Sequence, residues 1–235
     1  MSKALPSIFI LMAAHALAQA PAFEAATIKP SKAEPGHTSS HSRTGMIMLS
    51  GQTLKGLICS AYQVKDFQVT GGPKWLDQDR YDVNAKAEGA AQGEQLQQML
   101  QTLLADRFQL VIHHEQKIAP AYALVLVKSG LKIKPVEAAE GSNSHGGNGE
   151  LTVKGMTMAD LANYLSRRVG APVADLTGTA GAFDYKLVWS TEGDKDDSQA
   201  ALFSALQSEL GVKVESRKLP MDLIVVDKAE KPSEN

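Results

Sequence analysis

The sequence predicts an α+β fold built by internal duplication: two modules, each of two amphipathic helices packed on small β-sheets. Three observations predict it. Four blocks of the first half recur in order in the second: SGQTLKGLICSAY with KGMTMADLANYLS, RYDVNA with AFDYKL, DRFQLVIH with SELGVKVE, and APAYALVLVK with LPMDLIVVDK. Each half carries two stretches with apolar residues at helical spacing. Between them lie short alternating runs of the kind that form half-buried strands. The spacing between matched blocks shrinks along the chain, as when loops lose residues while elements stay. It is too long for a solenoid repeat.

The elements follow in order. FEAATIKP reads as an early strand, and Thr53 precedes a helix whose inner stripe is Leu54, Leu57, Ile58 and Ala61. A second helix carries Leu96, Leu100, Leu103 and Leu104, and QLVIHHEQK with YALVLVK closes the first module as a hairpin. In the second module GELTVKG alternates as a strand with Leu151 and Val153 on one face. Thr157 and Asp160 then form a capping box, with Met156 and Leu161 placed as a staple. Met158, Leu161, Ala162, Leu165 and Val169 share one helical side; Arg167 and Arg168 suit the last turn, and Gly170 and Pro172 end it. FDYKLVW is the next strand. The polar loop STEGDKDDSQ leads, with Asp197 or Ser198 as cap, into a helix from about Ala200. Its inner face is Leu202, Leu206 and Leu210, and Gly211 ends it. VKVESRK and MDLIVVDKA form the closing hairpin, joined across Leu219-Pro220. The Gly, Ser and Asn content of EAAEGSNSHGGNGE marks a flexible linker. The expected organisation is a signal peptide over 1–18, a first module over 19–136, a linker over 137–149 and a second module over 150–235.

The opening residues have the pattern of a secretory signal: Lys3, an apolar run from Leu5 to Ala14, and Ala16-Leu17-Ala18 as a cleavage site. The run is shorter than the roughly 20 residues a membrane-spanning helix needs. A periplasmic or extracellular protein is expected, not a membrane-spanning one. A formal charge of −2 over 235 residues speaks against a nucleic-acid partner, which asks for a strongly basic face. The one cysteine, Cys59, excludes an internal disulfide.

The densest cluster of unusual residues is VTGGPKWLDQDRYDVNAKA. Tyr81-Asp82 has a counterpart in Phe183-Asp184, which favours an architectural role: an aromatic in the core at a strand start, and an aspartate satisfying backbone donors. Nothing in the second half matches Pro73 to Asp77. That stretch reads either as a turn anchored by Trp75 or as a contact surface, and Trp75, Asp79, Arg80 and Tyr81 are the candidate binding residues. His113 and Glu115 would share a strand face with His114 opposite, but zinc asks for three or four ligands and no second cluster is spaced for it. Cys59 lacks a base and an oxyanion donor. The run EGDKDD lacks calcium-loop spacing. No phosphate loop, serine elbow or H-E-x-x-H occurs. No catalytic residue, cofactor or metal is expected.

FEAATIKPS, TLKGLICSAYQV, GGPKWLDQDRYDVNAKAEG, MLQTLLADRFQLVIHHE, YALVLVKSG, GMTMADLANYLS and KAEKPSEN together resemble an exported soil-bacterial protein family of unknown function, domain of unknown function 3738. Relatives fused to membrane-bound sensor proteases would suit extracytoplasmic sensing. Each half is also similar, at the level of fold, to the short N-terminal domain of secretins and TonB-dependent receptors. There the domain serves protein–protein contacts in the envelope. The expectation is a non-catalytic binding or interaction module with an envelope protein or a small ligand as partner. The alternative is a hydrolase on an extracellular polymer, with acid and base drawn from Asp79, Asp82, Asp184 and Glu115.

Overall fold

The computed structural model describes residues 20–34, 36–137 and 143–232. The expected signal peptide and residues 138–142 of the expected linker lie outside the described residues. The elements are β1 (Ala25–Pro30), β2 (Ser39–Arg43), β3 (Met46–Thr53), α1 (Leu54–Tyr62), β4 (Val69–Gly71), β5 (Arg80–Lys86), α2 (Glu94–Phe108), β6 (Val111–Leu126), β7 (Pro135–Val136), β8 (Asn143–Gly147), β9 (Glu150–Met156), α3 (Met158–Val169), β10 (Val173–Asp175), β11 (Ala182–Val188), α4 (Lys195–Ala205) and β12 (Val212–Lys228). Short 3-10 turns at Asp66–Gln68 and Lys74–Asp77 flank β4.

The helices form for local reasons. In α3, Asp160 N donates to the Thr157 hydroxyl at 3.1 Å and the Asp160 carboxylate accepts from Thr157 N, closing the capping box. Gly170 takes the left-handed conformation at φ 68° that stops the helix. The buried stripes of α1 (Leu54, Leu57, Ile58, Ala61) and α2 (Leu96, Leu100, Leu103, Leu104, with Met99 and Phe108) lie at helical spacing. In α4 the cap is Asp194, not Asp197 or Ser198. It accepts from the amides of Asp196 and Asp197, and the helix starts a turn earlier than expected. After Ala205 it widens into a π turn over Leu206–Leu210 before Gly211.

The expected fold class needs correction. Among the described residues twelve strands in three sheets outweigh four helices, 42% strand against 29% helix. The sheets are β1-β5-β3-β2, β10-β6-β12-β4 and β7-β11-β9-β8. Two helices packed on a small sheet of their own in each half does not describe this arrangement, because the middle sheet takes strands from both halves. The two expected closing hairpins do not form. β6 runs unbroken for 16 residues and β12 for 17, and the two pair antiparallel along their length, Val212 with Leu126 through Val226 with Ile112.

The physical reason lies at the expected turns. Lys117-Ile118-Ala119-Pro120 and Lys218-Leu219-Pro220 hold no Gly, Asn or Asp to take the positive φ of a tight hairpin. A following proline instead confines Ala119 and Leu219 to extended backbone. The prolines also protect the ribbon. Tyr122 N points out of the β6–β12 pair, donating to Pro172 O at 2.7 Å. By the two-residue alternation Pro120 occupies the same outward-facing class, and Pro220, opposite Ile118, does too. The missing N–H therefore interrupts each open edge without costing a ladder bond.

The chain divides into two compact units. Of the described residues, one unit comprises those up to Tyr62, Asp77–Leu110 and those from Glu230; the other comprises Gln63–Leu76 and those between Val111 and Ala229. The first holds the β1-β5-β3-β2 sheet with α1 and α2, around Ile28, Ile47, Leu49, Val83, Leu104 and Phe108. The second holds the other two sheets with α3 and α4, and its core includes Leu124, Leu151, Leu161, Phe183, Leu187, Leu206 and Val212. Asn143–Gly147, inside the stretch expected to be linker, is an edge strand paired with β9. Asn148 and Gly149, both at positive φ, make the two-residue turn between them.

Candidate functional site

β1 and β5 run antiparallel with Pro30 opposite Tyr81 and Lys29 opposite Asp82. The ladder continues one step, Ser31 N donating to Arg80 O at 2.8 Å. The chain's end returns to the same place: Glu230 N donates to Phe108 O at 2.7 Å, and Lys231 Nζ reaches Asp79 Oδ2 at 2.6 Å. Pro30, Ser31, Asp79, Arg80, Tyr81, Lys231 and Pro232 line an open cleft of about 380 Å³ with Ile28 on its wall.

Three of the four candidate binding residues thus meet in one cleft. Arg80 donates to Gly51 O at 2.7 Å, so its guanidinium is part of the sheet's framework. Tyr81 is 4% exposed, and its ring meets Phe108 edge-on, centroids 5.0 Å apart. Burial pushes the Tyr81 phenol above its ordinary pKa, and the charge of Asp79 adds to the rise. Trp75, the fourth, belongs to the other compact unit, half-buried on the turn Lys74–Asp77. Sequence reasoning missed Lys231 and Ser31. Neither carries a local signal, because each arrives through pairing or chain return set elsewhere.

The Gly-Gly of GGPKWLD is explained by close approach. Gly71 and Gly72 have φ of 76° and 74°. A Cβ on Gly71 would lie 2.8 Å from Val226 O, and one on Gly72 would lie 2.8 Å from the Leu76 side chain. The glycines let β4 run parallel to β12 at Ile224–Val226.

Asp82 and Asp184 have the architectural role expected of them. Asp82 accepts from Ser50 Oγ at 2.7 Å and Gly51 N at 2.9 Å. Burial by itself would raise its carboxyl; hydrogen bonds from Ser50, Gly51 and Ser31 outweigh that and hold it below the ordinary carboxylate range. Asp184 accepts from Gly155 N at 2.7 Å. Gly51 and Gly155 share a left-handed φ, 67° and 66°, and each lies where its ladder slips register. In both sheets an aspartate holds the amide that a bulge leaves unpaired.

The remaining candidates are placed as follows. His113 Nδ1 lies 2.9 Å from Asp227 Oδ2 on the exposed surface of β6 and β12. Glu115 is exposed further along the same strand. Cys59 is half-buried on α1. Among the described residues no three His, Cys, Asp or Glu gather to hold a metal ion, and no helix is long and apolar enough to cross a membrane. Chemically, the cleft offers one ion pair, a fixed guanidinium and an apolar wall.

A family model described as "Protein of unknown function (DUF3738)" matches residues 55–229. No curated protein and no solved structure matches the chain.

Proposed function

The chain belongs to the DUF3738 family, and from that premise we propose an exported, non-catalytic binding module of the cell envelope, suited to extracytoplasmic sensing. The proposed export rests on the signal pattern of residues 1–18, and the proposed partner is an envelope protein or a small ligand held at the Asp79–Tyr81 cleft. The observation that carries the reading is the state of the cleft's polar groups. Asp79 is paired with Lys231 and Arg80 with a backbone carbonyl. Groups so engaged shape a surface and select a partner. The hydrolase alternative would ask a carboxyl such as Asp82 to hold a proton near neutrality, and its hydrogen bonds do the reverse.

The test is photo-cross-linking in the producing cells, with a photoreactive residue at Lys231 and, as control, at Lys154 on the β9 surface. A discrete adduct from position 231, absent at 154 and lost in Asp79→Ala, supports the cleft as a binding site. Adducts that are equal at both positions, or none at either, sink it. Retention in the cytoplasm by a chain lacking residues 2–18, against envelope recovery of the full chain, checks the export.

A further inference from the structure

We propose that the solvent-facing side of the β1-β5-β3-β2 sheet is a docking surface for an acidic amphipathic helix of a partner protein, seated on Met46 and Met48. Residues opposite one another across a ladder share a face. Met46 lies opposite Arg43 and Lys86, and Met48 opposite His41 and Asn84. The intervening Ile47 and Leu49 point into the core. On β1, the small Ala25 and Thr27 stand beside Lys86 and Asn84. The result is a shallow groove of about 200 Å³ across three strands, almost wholly apolar, with both methionines among its lining residues.

The molecule contains its own comparison. Glu150 and Thr152 follow the β8–β9 turn as Met46 and Met48 follow the β2–β3 turn. On that sheet the solvent face is self-neutralising: Glu150 pairs with Lys186 at 3.1 Å and accepts from Thr152. The β3 face has thioethers where the β9 face has polar groups. Methionine is unbranched and polarizable, and it moulds to apolar side chains of varied shape. A helix laid on a sheet presents such side chains from one stripe.

Charge selects the occupant. Lys29, Arg43 and Lys86 rim the face, and Lys86 reaches Glu24 only at 3.9 Å. Among the described residues Lys29 and Arg43 form no ion pair, and the Asp82 carboxylate is already engaged by Ser50 and Gly51. A cationic rim around an apolar floor complements a helix with a leucine stripe and glutamate flanks, and opposes one with lysine flanks.

The proposal rests on the reading of the chain as a binding module but places this partner away from the cleft, so the two fail separately. The probes are two synthetic helical peptides with the same leucine stripe, one flanked by glutamates and one by lysines. Binding to the exported protein is read by fluorescence anisotropy. The glutamate peptide should bind and the lysine peptide should not. Met48→Glu and, separately, Arg43→Glu should weaken binding by about tenfold or more, while Thr152→Glu leaves it unchanged. If Met48→Glu unfolds, as judged by circular dichroism, Arg43→Glu on the exposed strand β2 decides alone. No binding, equal binding of both peptides, or binding indifferent to these substitutions overturns the proposal. Self-association of the wild type that Met48→Glu abolishes also overturns it, assigning the face to a second copy.

Discussion

Asp82 shows how much one side chain can set. A bulge at Gly51 leaves an amide without a ladder partner, and an unsatisfied amide there is costly. The carboxylate satisfies it and is in turn held ionised. Asp82→Asn keeps an acceptor but loses the charge, so it should cost about 1–3 kcal/mol at neutral pH. Because the folded-state pKa lies below the unfolded one, this stability is present above the ordinary aspartate range near pH ~4 and fades as pH falls through the folded value. Urea unfolding of wild type and variant should therefore differ at pH 7 and converge in acid; a constant gap would refute the assignment. Gly51→Ala meets a harder limit. A side chain at φ 67° costs about 1–2 kcal/mol, and its Cβ would run into the backbone oxygen of His37. Chemical denaturation should show at least that loss. The pairing of Tyr81-Asp82 with Phe183-Asp184 was legible because the same two residue types recur at matched strand starts. That Asp79 would meet Lys231 was not, since nothing near either residue encodes the other.

Among the elements, α3 is the most legible, because its signals are local. Thr157, Asp160 and Gly170 act within one turn of the helix ends, where the chain itself supplies the partners. Thr157→Ala should cost about 1 kcal/mol and lower the melting temperature by roughly 2–4 °C for a chain of this size; a calorimetric scan checks it. In α4 three aspartates in four residues offered several caps, and only the folded backbone selects Asp194. The strand Asn143–Gly147 was hidden by its composition. Gly, Ser and Asn suggest a linker, yet Asn148-Gly149 between two short runs is also the sequence of a tight hairpin turn. Turn chemistry was the better guide there than composition.

At the scale of the whole molecule the decisive pairing is β6 with β12, joining residues 111–126 to residues 212–228. A fragment covering residues 20–137 keeps β6 but loses the strand that pairs with it along its whole length. It should remain unfolded or aggregate through the bared edge, as read by circular dichroism and light scattering. A cooperatively folded, monomeric fragment would show that β6 can be satisfied within the first half. The sequence by itself determined the apolar stripes of the helices, the capping box and stop of α3, and the alternation of the strands, because each depends on residues close along the chain. Tertiary structure alone decided which strands pair, which residues the chain's end meets, and that two apparent hairpins open into one ribbon. A strand's backbone donors and acceptors are the same at every residue except proline. They bond to whichever edge the rest of the fold brings alongside, and no local pattern names that edge.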